Sequence, residues 1–361
     1  MDNGYEYANA RLRAMKSRLL TRNDYAALLD EPSIEAVIAR LTHSVYQPEI
    51  EAALVKAVGW ECLSEGLRRH LAQTLGRITK FFDGAPLRLW QMLIARWQVF
   101  NLKTILRGQA HHIAPSEILD ALILAGDLKE SDYSRLAQQA SVRATVDLLA
   151  TWHYLYARPL SAAMPRYAER GDLAELELAL DRACYTLAFK QLADMDDENA
   201  DIMRATLDAE IDAVNILTVI RLSEWGGGAR LFQRYGSTAP APFLIKGGGA
   251  ASQKLFAHQE VPALDALVRE LSDTDFGGVL AHGLARFAEN KSVGVFEDEL
   301  DAQLARQNLA WFNRDPLSIG IAIAYMTALV NETRNLRMIG RGKDTGWQRA
   351  EIEKELRLWQ S

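Results

Sequence analysis

The sequence has little of what secreted, metal-binding or membrane-spanning proteins require. Among 361 residues there are two cysteines, Cys62 and Cys184, without CxxC or histidine neighbours, so neither a disulfide framework nor a zinc site is indicated. The first residues lack a cationic segment followed by an apolar one, and we expect no secretory signal. The longest apolar run, Leu317 to Val330, has 14 residues, fewer than the roughly 20 that span a bilayer. We expect a buried core helix there.

Catalytic and ligand-binding motifs are missing as well. The glycine runs at 226–228 and 247–249 belong to neither GxxxxGK[ST] nor GxGxxG, and no GxSxG elbow occurs. The acids between Asp194 and Asp201 lack the glycine and the final glutamate of a calcium loop, and they fit the first turn of a helix better. We therefore predict no catalytic residue, no cofactor and no metal, and we do not expect an enzyme.

The charge balance excludes an overall nucleic-acid footprint. Forty-one basic and 47 acidic residues give a net charge of −6, whereas nucleic acid and anionic membranes select a basic face. Hydrophobic content of 49% and charged content of 24% are those of a soluble globular protein. Apolar residues follow a helical period and strand-like alternation is nearly absent, so we predict an all-α fold.

One short pattern occurs three times at nearly constant separation. Asn101–Arg107, Asn215–Arg221 and Asn335–Arg341 each keep an aliphatic residue one position after the asparagine, Ile or Val four after it and Arg six after it, and they are 114 and 120 residues apart. Tyr25–Tyr46 also matches Tyr133–Tyr154 without gaps at an offset of 108. This period far exceeds the roughly 20–50 residues of solenoid repeats. The pattern predicts internal triplication into three similar helical domains.

The domain boundaries are expected in the loops that follow these helices. His111–Pro115 separates the first unit from the second, and Tyr235–Pro242 contains the glycine and prolines that break a helix. We predict a first repeat with its N-terminal helix at 1–113 and a second at 114–235. A third repeat with a C-terminal tail follows at 236–361.

The asparagines and arginines of the repeat have different expected roles. At about 100° per residue the aliphatic positions share one stripe, while the arginine lies on the opposite side. The asparagines flank the stripe, where a buried amide must find hydrogen-bond partners, and we favour a structural role for them. Glycine soon after each arginine predicts the helix end. The asparagines are Asn101, Asn215 and Asn335, and the glycines are Gly108, Gly226–Gly228 and Gly342.

Two explanations remain open for the repeated arginines. Arg107, Arg221 and Arg341 either stabilise a helix C-terminus through its dipole, worth about 0.3–1 kcal/mol, or form a set of cations that faces a partner. The first helix carries further candidates for partner contact, which are Arg11, Arg13 and Lys16.

These residues carry a resemblance to a known family. With the stretch Tyr7–Leu20, the three asparagine-to-arginine helices and Asn331–Arg337, the chain resembles the C subunit of archaeal and bacterial V/A-type ATPases, the counterpart of the d subunit of eukaryotic V-ATPases. The likeness spans essentially the whole chain. Its motifs are helical and include no catalytic signature.

The resemblance implies a pseudo-threefold funnel of three similar helical domains. Such a protein lies on the cytoplasmic face of the membrane as a peripheral component, seated on the proteolipid ring, and accepts the D and F subunits of the central stalk. It would transmit torque that couples ATP hydrolysis or synthesis at the A and B subunits to proton or sodium transport at the ring and the I/a subunit. The alternative is a soluble helical-repeat scaffold or adaptor unrelated to an ATPase.

Overall fold

A computed structural model describes residues 4–358, and the regular secondary structure of this part of the chain is helical, without a strand. The all-α prediction is confirmed. Two short 3₁₀ helices lie at Ala241–Phe243 and Ala310–Asn313. The α-helices are α1 Glu6–Lys16, α2 Arg22–Asp30, α3 Ile34–Leu41, α4 Gln47–Leu54, α5 Gly59–Thr79, α6 Gly84–Ala110, α7 Pro115–Asp120, α8 Glu130–Ala137, α9 Val142–Thr151, α10 Ala157–Arg170, α11 Ala174–Leu192, α12 Glu198–Glu224, α13 Gly227–Tyr235, α14 Ala250–Ala257, α15 Leu264–Glu270, α16 Gly277–Asn290, α17 Gly294–Leu309, α18 Gly320–Asp344 and α19 Arg349–Glu355.

Side-chain caps explain where several helices begin. Thr21 and Asp24 form a reciprocal capping box at α2. Ser33 accepts a hydrogen bond from a backbone N–H in the first turn of α3, and Ser141 does the same at α9. Asp197 caps α12 in the same way. Each cap satisfies an N–H group that has no partner inside the helix, so local sequence positions these helix starts.

Packing divides the chain into two compact units. The first contains residues 1–180 together with 309–361, and the second contains residues 181–308. The division falls within α11 and at the end of α17. The predicted boundaries of three repeats stay a prediction.

The core of the first unit joins the beginning of the chain to its end. Apolar side chains of α2, α3, α4 and α5 form one buried cluster with Leu336, Ile339 and Ile352 from α18 and α19. A Cβ atom at Gly340 would overlap Leu63 Cδ2. The missing side chain therefore lets α5 pack close against α18, and Gly340 stands where the other two copies have leucine and isoleucine.

The second unit has its own core. The C-terminal half of α12 packs with α14, α15, α16 and α17 through buried residues that include Ile216, Leu267, Phe276 and Phe296. At Gly283 a Cβ atom would lie 2.8 Å from the ring of Phe296. Close approach again depends on a glycine within a helix.

Two of the glycines predicted to mark helix ends lie inside their helices, whereas Gly226, with φ of +120°, follows the end of α12 at Glu224. α6 continues through Gly108 to Ala110, and α18 continues through Gly342 to Asp344. A Cβ atom would lie 2.5 Å from Ile118 at Gly108 and 2.5 Å from Ile352 at Gly342. These two glycines make room for the next helix rather than ending their own, but each of the three helices does end three residues after its arginine, as the pattern predicted.

The repeat alignment also shifts by two residues in the second copy. The buried aromatic residue that precedes α4 is Tyr46, and the buried ones that precede α10 and α16 are Tyr156 and Phe276. The ungapped alignment had paired Tyr46 with Tyr154. Since α9 has 10 residues and α3 has 8, the longer helix moves the equivalent position to Tyr156.

The apolar run at 317–330 lies largely in α18, and all residues from Ile319 to Met326 are buried. Within the described residues, none of the helices has the length and apolar character needed to span a bilayer. The C-terminal tail includes the short helix α19, whose Ile352 is buried. Trp359, an apolar residue of the same tail, lies outside the described residues.

Candidate partner-binding residues and the asparagine clasps

The repeated asparagines are buried, and each pairs with the backbone of a single residue further along the chain. Asn215 Nδ2 donates to the Ile245 carbonyl at 2.9 Å, and its Oδ1 accepts from the Ile245 N–H at 2.8 Å. The side-chain amide thus pairs with both the N–H and the C=O of one residue. We call this two-bond arrangement an asparagine clasp.

The same clasp occurs in the other two copies. Asn101 donates to the Ile123 carbonyl at 2.7 Å and accepts its N–H at 2.9 Å. Asn335 donates to the Arg357 carbonyl at 3.1 Å and accepts its N–H at 2.9 Å. The clasped residues all lie outside regular helices. Each clasp therefore fixes an irregular segment to a long helix and satisfies backbone groups that a helix would otherwise satisfy.

A second polar position accompanies each clasp and is absent from the sequence-based prediction. Gln98, Asp212 and Glu332 stand three residues before the asparagines and are 4%, 6% and 3% exposed. Residues three apart share a helix face, so each long helix carries a polar pair on one face. In the second copy both members bind the same loop, whereas in the third Glu332 binds Leu20 and Tyr46 instead. Comparison of the three copies could have found this position, since a polar residue recurs there in an apolar surrounding.

In the second copy, this polar pair organises the glycine run at 247–249. Asp212 Oδ1 accepts the N–H groups of Gly249 and Ser252, both at 2.9 Å, and Asp208 accepts that of Gly248 at 3.0 Å. A Cβ atom at Gly248, whose φ is +86°, would lie 2.6 Å from Asp212 Oδ1. Burial, with the neighbouring Asp212 carboxylate, raises the pKa of Asp208. The loop amides are thus occupied by the protein's own carboxylates.

The repeated arginines are half exposed, and two of them contact a carboxylate in their own compact unit. Arg107 binds both carboxylate oxygens of Glu177 at 2.6 Å. Arg221 binds Glu297 at 2.8 Å, and Glu177 and Glu297 are themselves 120 residues apart. Two of the three copies therefore share this ion pair as well as the arginine.

Among the described residues, Arg341 has no equivalent distant carboxylate and contacts an aromatic ring. Its guanidinium carbon lies 5.6 Å from the centroid of the Trp60 ring. A longer ion pair of 3.4 Å joins it to Asp344 on the same helix. The arginine side chains at 107, 221 and 341 are 55%, 57% and 57% exposed, and ion pairs at such exposure contribute only about 0.2–1 kcal/mol. All of these guanidinium groups therefore remain open to solvent on one side.

The three cations of α1 separate into two groups. Arg13 donates to the Phe312 carbonyl at 3.3 Å, and Lys16 Nζ lies 4.0 Å from the centroid of the Phe312 ring. Burial and then the charge of Arg13 lower the pKa of Lys16. Arg11 instead lies 5.3 Å from the centroid of the Phe81 ring. Much of the proposed cationic face of α1 is thus used within the first unit.

Comparison with known proteins shows the class to which this helical chain belongs. The family model described as "ATP synthase (C/AC39) subunit" matches residues 8–355. The chain is 31% identical to the A-type ATP synthase C subunit of Halorubrum lacusprofundi, with 97% of each chain covered. It is 30% identical to that of Haloferax volcanii, with the same coverage, and 27% identical to that of Methanosarcina barkeri over 95% of this chain and 89% of the relative.

The chain therefore belongs to the ATP synthase (C/AC39) subunit family. The match extends over almost its whole length and over almost the whole length of the haloarchaeal relatives.

Proposed function

We propose that the protein is a non-catalytic component of the central rotor of a rotary V/A-type ATPase. It would join the D and F subunits of the central stalk to the membrane proteolipid ring as a peripheral component on the cytoplasmic face. Torque passing through it would couple ATP hydrolysis or synthesis in the A/B head to proton or sodium transport at the ring and the I/a subunit. The observation that carries the proposal is family membership over residues 8–355.

The internal geometry supports a part that keeps its shape under load. A torque-transmitting protein must resist displacement of its segments, and close-packed interiors deform little. Asparagine clasps hold Ile123, Ile245 and Arg357 to long helices by paired hydrogen bonds. Because each clasp uses two bonds to one residue, sliding the segment along the helix breaks both bonds together.

The half-exposed arginines are proposed as contacts with anionic groups of the partner proteins. Arg107, Arg221 and Arg341 keep solvent access despite their intrachain contacts. A guanidinium group has five donors, and each half-exposed side chain can present part of this group to a partner. On α1, Arg11, Arg13 and Lys16 stay proposed partner contacts. All three also have contacts within the chain, Arg11 with Phe81 and the other two with Phe312.

Reconstitution tests the proposed function. The purified chain is mixed with a stalk D–F complex and with the proteolipid ring in nanodiscs, separately and together. We expect it to bind each and to form one assembly that contains both. Failure to bind either would overturn the proposal and favour the alternative of a helical scaffold or adaptor with other partners. Purification from native membranes in mild detergent, with mass spectrometry of the proteins that co-elute, provides an independent check.

A triple charge reversal tests the arginines within the same assay. Arg107→Glu, Arg221→Glu and Arg341→Glu together should weaken assembly while the fold is retained. The matched control reverses three other exposed arginines, Arg88, Arg143 and Arg269, and should assemble normally. If the two triple variants assemble equally well, the repeated arginines have no role in partner binding.

A further inference from the structure

Glu332 is an acidic side chain buried in the core of the first unit, where its hydrogen-bond donors are uncharged. Its residue is 3% exposed. Its carboxyl group accepts the backbone N–H of Leu20 and, at 2.5 Å, the hydroxyl of Tyr46. A buried carboxylate is normally neutralised by a cation, because an isolated buried charge is very costly. The equivalent positions hold Gln98, which is never charged, and Asp212, whose donors are backbone amides of one loop.

Three segments that are distant in sequence meet at this carboxyl group. Leu20 lies in the connection between α1 and α2, Tyr46 immediately precedes α4, and Glu332 itself is on α18. The two hydrogen bonds span 312 and 286 residues. Glu332 therefore ties the N-terminal segments of the chain to its last long helix.

Solvent can approach the group from two sides. A cavity of about 210 Å³ is lined by Glu332, Glu49, His70, Arg18, Arg77 and Tyr325, among others. A larger open cleft is lined by Leu20, Tyr25, Asn331 and Glu332, among others. Glu332 therefore borders space that water can occupy.

Charged and titratable groups of both signs surround the site. From the α1–α2 side they are Lys16, Arg18, Arg22, Asp24 and Tyr25. From α4 and α5 they are Glu49, His70 and Arg77, and from α18 and the C-terminal segment they are Tyr325 and Arg357. The His70 ring also lies 4.3 Å from that of Tyr46 and is bonded to Glu49 at 3.2 Å.

Burial dominates the titration of Glu332. It raises the pKa of this carboxyl group to about 7, although the hydrogen bonds from Tyr46 and Leu20 favour the ionised form; the charge of Asp24 raises the pKa further. Burial lowers the pKa of His70, while its bond to Glu49 opposes this effect. In acid, the protonated carboxyl group can donate to Tyr46 while still accepting from Leu20.

We propose that Glu332 is a proton-responsive latch: its uncharged form favours the closed packing of the α1–α2 connection and the start of α4 against α18, and its ionisation favours opening, because two uncharged donors do not replace the water that a buried carboxylate loses. In the released form the carboxylate is hydrated and titrates as an ordinary glutamate. The opening equilibrium therefore grows as the pH rises from the ordinary value of 4.5 to about 7 and is constant above that. The latch belongs to the isolated chain and requires no partner.

A consequence for assembly rests on the proposed function. α1 carries Arg11, Arg13 and Lys16, and it leads directly to the latched residue Leu20. Release would free the end of α1 and change how these cations are presented to a partner. Partner affinity would then depend on pH through Glu332.

Hydrogen exchange of the full-length isolated chain tests the latch. Protection factors are measured by mass spectrometry between pH 5 and 8.5, with the known pH dependence of the chemical exchange rate removed. We expect protection of the segment around Leu20 and of the start of α4 to fall by up to about tenfold per pH unit below pH 7, then to level off. Peptides of the second compact unit provide an internal reference.

Two variants test whether the pH dependence of the protection factors comes from the Glu332 carboxyl group. Glu332→Gln keeps the shape and hydrogen bonds of the protonated form, so protection should stay high at every pH. Glu49→Gln should leave the pH profile unchanged, because it alters only the neighbouring pair with His70. A flat profile in the unaltered protein, or an unchanged fall in Glu332→Gln, would overturn the proposal, and so would loss of the pH dependence in Glu49→Gln alone.

A second measurement covers the case in which Glu332→Gln does not fold. Tyr46→Phe removes one donor that favours the ionised carboxyl group, so the plateau should begin at a higher pH. Infrared difference spectra should show the protonated carboxyl band of Glu332 titrating at that same raised pH. An exchange profile or a carboxyl band that does not move contradicts the latch.

Discussion

Removal of the Asn215 clasp is the most demanding test of the structural argument. Asn215→Ala deletes the two bonds with Ile245 and a third, of 2.9 Å, to Ser252 Oγ. The Ile245 residue is 2% exposed, so its N–H and C=O lose their partners in a buried place. An unsatisfied buried group costs about 1–3 kcal/mol, and two of them predict a loss of about 2–6 kcal/mol. Exposed Asn23→Ala serves as the control.

The three clasps should differ in strength for structural reasons. Asn101 makes the same pair of bonds with a partly buried peptide, so Asn101→Ala should cost about 2–3 kcal/mol. Asn335 binds Arg357 close to the C-terminus, with one bond of 3.1 Å. The Arg357 carbonyl keeps a second donor, Asn331 Nδ2 at 2.8 Å, so only the Arg357 N–H loses its partner and we expect about 1 kcal/mol for Asn335→Ala.

Urea unfolding followed by circular dichroism measures these losses, and hydrogen exchange locates them. Asn215→Ala should lower protection in the second compact unit, whereas Asn101→Ala should lower it in the first. Asn215→Asp separates the role of the donor, since an ionised carboxylate accepts the Ile245 N–H but cannot donate to its carbonyl. It should be at least as unstable as Asn215→Ala at neutral pH and partly recover in acid. If Asn215→Ala differs from Asn23→Ala by less than about 0.5 kcal/mol, the clasp does not stabilise the fold.

Three further predictions concern charge, backbone conformation and pH. The double variant Arg107→Glu, Glu177→Arg keeps the ion pair but moves the positive charge, so it should fold normally and bind the partner more weakly than the unaltered protein. Equal affinity of the two proteins in the binding assay would show that only the ion pair matters. Gly171 and Lys291 follow the ends of equivalent helices with φ of +67° and +55°, a conformation that favours glycine. Thermal unfolding should show that Lys291→Gly stabilises the protein and that Gly171→Lys destabilises it, each by about 1 kcal/mol. Effects of the opposite sign would contradict this explanation. Because the pKa of Glu332 is raised from 4.5 to about 7, the free energy of unfolding should fall as the pH rises through this range. In urea unfolding, Glu332→Gln should be more stable than the unaltered protein by about 3 kcal/mol at pH 8 but by little near pH 4.5. A difference that does not change with pH would exclude this titration.

The repeated pattern predicted which residues are equivalent in the three copies better than it predicted what each residue does. Asn101, Asn215 and Asn335 were found because identical residues recurred on similar helices, and their clasps then proved to share one geometry. Two of the glycines after the arginines were misinterpreted, because a helix terminator and a site of close helix packing place the same residue in the sequence. Gly108 and Gly342 follow the second rule, and only their neighbours Ile118 and Ile352 reveal it.

The sequence alone determined the helical class, the family resemblance and the approximate period of the repeat, since these depend on local periodicity and on recurring residues. Tertiary structure decided which peptide each asparagine binds, and it brought Leu20 and Tyr46 to Glu332 across 312 and 286 residues. Such partners are separated by whole helices, and nothing in the local sequence encodes their distance. The raised pKa of Glu332 has the same origin, because burial arises only when the ends of the chain pack together.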